Sequence, residues 1–263
     1  MKKVFILGHK GMLGNAVLKY FLNNPNFIVQ TTNSRFPDDD FLNKLSGADT
    51  EFIVNCIGKI PQKQQSSDEK YDLINIKLPE FLETLGKKVI HPSTDCEFSG
   101  LLESSKQYSK SDPRDAQDEY GRSKAQISEK IEKNFKNTKI IRVSIIGHES
   151  GSKVSLLEWF LSQRGAVNGY INHFWNGITT LEWAKKCEQL INYWDSYPIL
   201  NQFGTAENKS KYHLLCLIRE VYGKNISVNE FSDKKTINKC LLSDLPVKNV
   251  KDQLIELRDF YSR

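Results

Sequence analysis

Two patterns in this chain could do chemistry. The first is Tyr120-Gly121-Arg122-Ser123-Lys124, where a phenol and an ammonium stand four residues apart and, on a helix, share one face a single turn from each other. A free phenol has a pKa of about 10 and is a sluggish proton donor at neutral pH; a nearby ammonium favours the phenolate and draws that pKa toward the working range. Such a pair also arises by chance on surface helices. It gains weight from Ser93-Thr94-Asp95, at the end of an expected strand, where open α/β sheets present their ligands. Thr94 placed there can hydrogen-bond the oxygen that Tyr120 protonates, so Thr94, Tyr120 and Lys124 form one candidate catalytic group.

The second pattern is Gly8-His9-Lys10-Gly11-Met12-Leu13-Gly14, which follows a short apolar run and opens an amphipathic stretch. Small residues at Gly8, Gly11 and Gly14 keep such a turn tight and let the backbone approach a pyrophosphate at the positive end of a helix, with Met12 and Leu13 in its first turn. An NAD site would place a carboxylate at the end of the second strand, about 20 residues past the glycines. Here the chain reads Thr31-Thr32-Asn33-Ser34-Arg35. Arg35 can instead fork onto a 2′-phosphate, which favours NADP(H); Lys10 is either a second cation for it or a solvated surface lysine.

The elements that must position these residues alternate. Strands are expected at Val4–Leu7, Phe27–Thr31, Phe52–Cys56, Lys88–His91 and Lys139–Val143. Helical patterns lie between them, with Leu13, Val17 and Phe21 on one stripe, a second helix from Tyr71 to Leu85 and a third from about Glu119 to Phe135. This predicts an α/β protein with a Rossmann-type doubly wound parallel sheet in residues 1–147. From 148 to 263 the alternation weakens, helical patterns return at Leu181–Trp194, Lys211–Tyr222 and Val250–Tyr261, and a smaller, less regular substrate region is expected, with some segments returning to the first domain. Gln62 to Ser67 reads as a polar loop.

Composition bounds the partners. The chain has 263 residues, a net charge of +5 and 39% hydrophobic residues. No apolar run approaches the about 18 residues of a membrane span, and no basic block marks a nucleic-acid surface, so neither partner is expected. Five scattered cysteines, without paired spacing, point to a reducing cytoplasm. His148 and His173 have no ligand-type residue at metal spacing, and no metal is expected.

Together, the glycine turn, Ser93-Thr94-Asp95 with Phe98 and Gly100 downstream, and Tyr120-Gly121-Arg122-Ser123-Lys124 resemble the extended short-chain dehydrogenase/reductases, most of all those of the dTDP-4-dehydrorhamnose reductase type. Gly8-His9-Lys10-Gly11-Met12 is also similar to the turn of GDP-fucose synthase. The resemblance runs from residue 1 to about 183 and thins beyond. It implies NADPH-dependent reduction of the C4 ketone of a nucleotide-diphosphate 4-keto-6-deoxy sugar, in polysaccharide or glycan precursor synthesis. It further implies that Tyr120 donates the proton, Lys124 holds the nicotinamide ribose and Thr94 orients the carbonyl, and that Ser93, Cys56-Ile57-Gly58 and, more loosely, Asp40-Phe41 line the cofactor.

Two departures stand out: Cys96 replaces the usual Tyr and Glu97 the usual Val of that family. Glu97 either faces solvent or adjusts substrate choice. The Asp-Glu pair of sugar-nucleotide dehydratases is broken by Cys96, which argues against dehydration. A nucleotide sugar calls for cations, aromatic faces and amide or hydroxyl partners, and Asn168, Trp175 and Thr179 are the candidates for it. Two rivals keep the fold but not the reaction: a non-catalytic regulatory subunit, like that of methionine adenosyltransferase, and a sugar-nucleotide epimerase. About a hundred residues are left for substrate binding, which suggests completion by a second subunit in a homodimer.

Overall fold

The computed structural model describes residues 1–63, 71–151 and 153–262; residues 64–67 of the polar loop lie outside them. The chain begins with β1 (Lys2–Leu7), whose Val4 to Leu7 are all buried, and α1 (Met12–Leu22), which turns Leu13, Val17 and Phe21 inward. It continues through β2 (Phe27–Thr31), α2 (Asp39–Ser46), β3 (Phe52–Asn55), α3 (Leu78–Thr84), β4 (Lys88–Ser93), α4 (Glu119–Asn134) and β5 (Thr138–Arg142). The expected helix from Tyr71 opens instead as a π-helical turn, Leu73–Lys77, which runs directly into α3. Helix α2 was not expected: it is eight residues long, and its opening Asp38-Asp39-Asp40 reads locally as a loop.

After β5 come β6 (Ile145–Ile146), α5 (Leu156–Ser162), β7 (Ala166–Tyr170), β8 (His173–Trp175), β9 (Ile178–Thr179) and α6 (Thr180–Asn192). The chain then forms β10 (Leu200–Gln202), β11 (Lys209–Ser210), α7 (Lys211–Val221), β12 (Ser227–Phe231), β13 (Ile237–Asn238) and α8 (Val250–Tyr261). Six strands form one parallel sheet in the order β10-β5-β4-β3-β1-β2. The strand order reverses at β1, so β2 and β3 flank it on opposite sides. Ligands in open parallel sheets gather at such a switch, outside the carboxyl ends of the strands.

Strand β10 pairs with β5, and α6 packs against α1, so segments from the second half of the chain complete the first sheet and its cover. The core between α1, α6 and the sheet joins Val4, Ile6, Val17 and Phe21 to Trp183 and Phe203. A second core, holding Leu157, Phe160, Leu214, Ile218, Leu254 and Leu257, lies among α5, α7 and α8. Among the described residues no helix is long and apolar enough to cross a membrane.

Candidate active site

The glycine turn is shaped by contacts that no side chain would permit. Gly8 has φ +73° and lies against the Cys56 backbone, while a Cβ on Gly14 would fall 2.1 Å from the Gly8 carbonyl oxygen. The Gly11 N–H donates to that same oxygen at 2.9 Å, closing the turn. Gly11 is the N-cap of α1 and offers no side-chain acceptor, and the first turn of the helix carries no acidic residue. The positive end of α1 is therefore left to the cleft, free to receive an anionic group such as a phosphate.

That cleft has a volume of about 450 Å³ and brings the two sequence patterns together: Gly11, Met12 and Leu13 line it with Thr94, Tyr120 and Lys124. The strand-end segment and α4 meet at a close contact, since a Cβ on Gly121 would sit 2.2 Å from the Cys96 carbonyl oxygen. Helix α4 starts at an Asp118 cap, whose carboxylate accepts the Gly121 N–H at 2.7 Å, and Tyr120 and Lys124 project from its first turns. Thr94 accepts the Cys96 N–H at 3.1 Å and donates to Asp95 at 3.0 Å.

The electrostatics differ from expectation. Burial raises the Tyr120 phenol pKa, with the Cys96 and Asp95 charges adding to it and only a hydrogen bond from Thr94 opposing. Lys124 does not offset this, because its ammonium is turned to the Pro92 carbonyl, 2.8 Å away. Lys124 is itself 4% exposed, and burial brings its pKa down to about 8, with the Glu97 charge holding it up. Cys96 lines the cleft beside them, its thiol pushed up to about 12 by burial.

The other expected site residues fall into two groups. Cys56, Gly58 and Ser93 line the cleft, and Ile57 packs between the Gly8 turn and the core under α2 and α3. Lys10 and Arg35 are exposed beyond its rim, and neither has an ion-pair partner among the described residues. Asp40 sits on α2, paired with Lys44 at 2.7 Å, and the Phe41 ring is wholly buried against Phe36 and Phe81, so neither side chain faces the cleft.

The substrate candidates do not line this cleft. Asn168 is exposed on β7, paired with β12 away from the cleft. Trp175 is 5% exposed in the second core, and its indole N–H donates to the Ser144 hydroxyl at 2.9 Å, one layer behind the cleft surface. Thr179 is the buried cap of α6 and accepts the Glu182 N–H. Residue type alone selected these three; Trp175 is taken up by packing and Thr179 by capping, and Asn168 stands exposed away from the cleft. Glu97 is corrected: it is 0% exposed and faces neither solvent nor cleft, because the buried Arg142 beside it requires a counter-ion.

Sequence reasoning missed Asp118, Glu149 and Ser155, all of which line the cleft. Asp118 carried a legible signal, an N-cap carboxylate ahead of the helix. Glu149 accepts the Ser155 N–H at 3.3 Å in an irregular segment with no periodic pattern to place it.

Among known families, a family model described as RmlD substrate binding domain matches residues 1–165. No curated protein sequence matches the chain. Among solved structures, a dTDP-4-dehydrorhamnose reductase from Clostridium acetobutylicum superposes with a TM-score of 0.83 at 17% identity, covering 99% of this chain and 100% of that one. The dTDP-4-dehydrorhamnose reductase from Bacillus anthracis, solved in complex with NADP, gives 0.83 at 15% identity over 98% and 99% of the two chains. A UDP-glucuronic acid 4-epimerase from Bacillus cereus, in complex with UDP-glucuronic acid and NAD, gives 0.73 at 15% identity over 99% of both. At these identities the likeness establishes the shared fold.

Proposed function

The chain belongs to the RmlD substrate binding domain family, and from that premise we propose that it is an NADPH-dependent reductase of the C4 ketone of a nucleotide-diphosphate 4-keto-6-deoxy sugar. The observation that carries this reading is the single cleft shared by the helix α1 N-terminus and by Thr94, Tyr120 and Lys124. The residues present fit a dinucleotide: an uncapped helix end for its pyrophosphate and, outside the rim, Arg35 and Lys10 for a 2′-phosphate.

When bound, the reduced dinucleotide supplies a hydride to the ketone carbon. The Thr94 hydroxyl holds the ketone oxygen, and the Tyr120 hydroxyl gives it the proton, so that the carbonyl π pair ends in the new O–H bond. The phenolate left behind is stabilised by the Lys124 ammonium, which also holds the nicotinamide ribose, and takes a proton back from solvent. Because burial makes a bare phenolate costly here, an ammonium drawn from Pro92 toward Tyr120 is the protein's means of offsetting that cost. With the Lys124 pKa near 8, this role weakens as pH rises through that value, so turnover falls on the alkaline side.

The test is direct. The protein and NADPH are mixed with a panel of 4-keto-6-deoxy sugar nucleotides, the loss of reduced-nicotinamide absorbance is followed, and the product is identified. Oxidation of NADPH with a 4-hydroxy product supports the reading. No turnover with any member of the panel overturns it, and an oxidised dinucleotide retained through purification would favour the epimerase.

A further inference from the structure

Glu97 is the largest departure from the family pattern, and the structure gives its carboxylate four partners. One oxygen accepts from the hydroxyls of Ser93 and Ser128, which themselves lie 3.2 Å apart. The other oxygen faces Arg114 Nε at 2.7 Å and Arg142 at 2.6 Å. Arg142 is as completely buried as Glu97, stacks its guanidinium over Phe98 and donates to Gln202 at 3.0 Å; Arg114 continues outward to Glu132 on α4. One carboxylate thus joins the end of β4, the middle of α4 and the end of β5.

These partners adjoin the reacting groups. Ser93 immediately precedes Thr94, and Ser128 lies one helical turn beyond Lys124. A buried ion pair of this kind contributes little to stability compared with apolar side chains of similar volume.

We propose that Glu97 is a positioning residue for the reaction: anchored by Arg142 and Arg114, its carboxylate holds the Thr94 strand end against α4 and supplies the negative charge facing the buried Lys124 ammonium. The inference rests on the assignment of Thr94 and Lys124 to the reaction proposed above. Among the described residues, Glu97 is the acid that supports the charged form of Lys124. On the β4 side stands His91, whose pKa lies well below its ordinary value through burial and the Lys124 charge, so it is neutral and adds no competing charge. Asp95, Cys96, Asp118 and Tyr71 face the Tyr120 phenol instead.

The experiment reads Lys124 itself. Protein labelled with 13C at the lysine ε-carbon is titrated by NMR as the wild type, as Glu97→Gln and as Glu97→Gln/Arg142→Met, with the Lys124 resonance identified by its loss in Lys124→Met. The wild-type midpoint is expected near 8. In both variants it should fall below the wild-type value, and the alkaline limb of dinucleotide binding should move with it. If the single variant does not fold because Arg142 has lost its counter-ion, the double variant, in which both charges are gone, carries the test. A folded variant with an unmoved midpoint overturns the proposal. So does a double variant that cannot fold, since the pair would then serve stability alone. A shifted midpoint in a protein that reduces no keto sugar would remove the proposed reaction, and with it the positioning role of Glu97, leaving only the coupling between the Glu97 and Lys124 charges.

Discussion

The two walls of the cleft are built on different principles. On one side, Gly11 to Leu13, Cys56, Thr94, Tyr120 and Lys124 sit at the ends of β1, β3 and β4 or on the first turns of α1 and α4, each held by the sheet. On the other, Ile145 and Ile146 of β6, Val154 and Ser155 of the loop that follows and Leu156 at the start of α5 are mostly apolar, with Glu149 as the carboxylate. The first wall is over-determined by backbone contacts at Gly8, Gly14 and Gly121. The second takes its residues from outside the six-stranded sheet. A fold that serves several sugar nucleotides can therefore keep its chemistry on the rigid side and change its substrate on the other.

Five substitutions test that contrast. Tyr120→Phe removes the proposed proton donor of the rigid wall and should lower turnover by roughly 10²–10⁴, with dinucleotide affinity, followed by fluorescence titration, unchanged. Retained turnover would break the assignment. Gly14→Ala places a Cβ 2.1 Å from the Gly8 carbonyl; it should cost about 1–3 kcal/mol of stability in thermal unfolding and abolish dinucleotide binding. At the rim, Arg35→Ala should weaken NADPH by roughly tenfold or more and leave NADH unaffected, as titration of both would show. Equal weakening of the two would detach Arg35 from the 2′-phosphate.

The smallest effects belong to the region behind the variable wall. Thr179→Ala removes the α6 cap and should cost about 1 kcal/mol of stability with an unchanged KM. Asn168→Ala, on the exposed face of β7, should stay within about 0.5 kcal/mol and leave KM alone as well. A raised KM in either variant would return that residue to the substrate.

What could be read from the sequence follows the same division. The glycine turn and the Tyr120 to Lys124 helix were legible because their spacing is a backbone requirement, one that holds whatever the surrounding residues are. The five N-terminal strands were legible as apolar runs, of which β1, β3, β4 and β5 are buried on both faces and β2, at the edge, is partly exposed. Asn168, Trp175 and Thr179 were chosen by residue type, which does not distinguish a ligand contact from a helix cap or an indole donor satisfied inside a core. Glu97 illustrates the limit most clearly: its partner Arg142 lies 45 residues on in the chain, and no local pattern announces that the two meet. Phe41 shows the converse, a loose match to a cofactor contact whose ring proves to be core.

The strand order bears on how the protein is made. Because β10 supplies the edge beside β5, a ribosome that has released only the first 147 residues has released a sheet with one open flank. Trp183 and Phe203, which close the core over α1 and the sheet, also emerge later. A nascent chain at that stage presents unpaired backbone and uncovered apolar surface, the features that invite chaperones or aggregation. Translation beyond residue 202 is what ends that exposure, so a pause before that point should lower the soluble yield, and a pause after it should not.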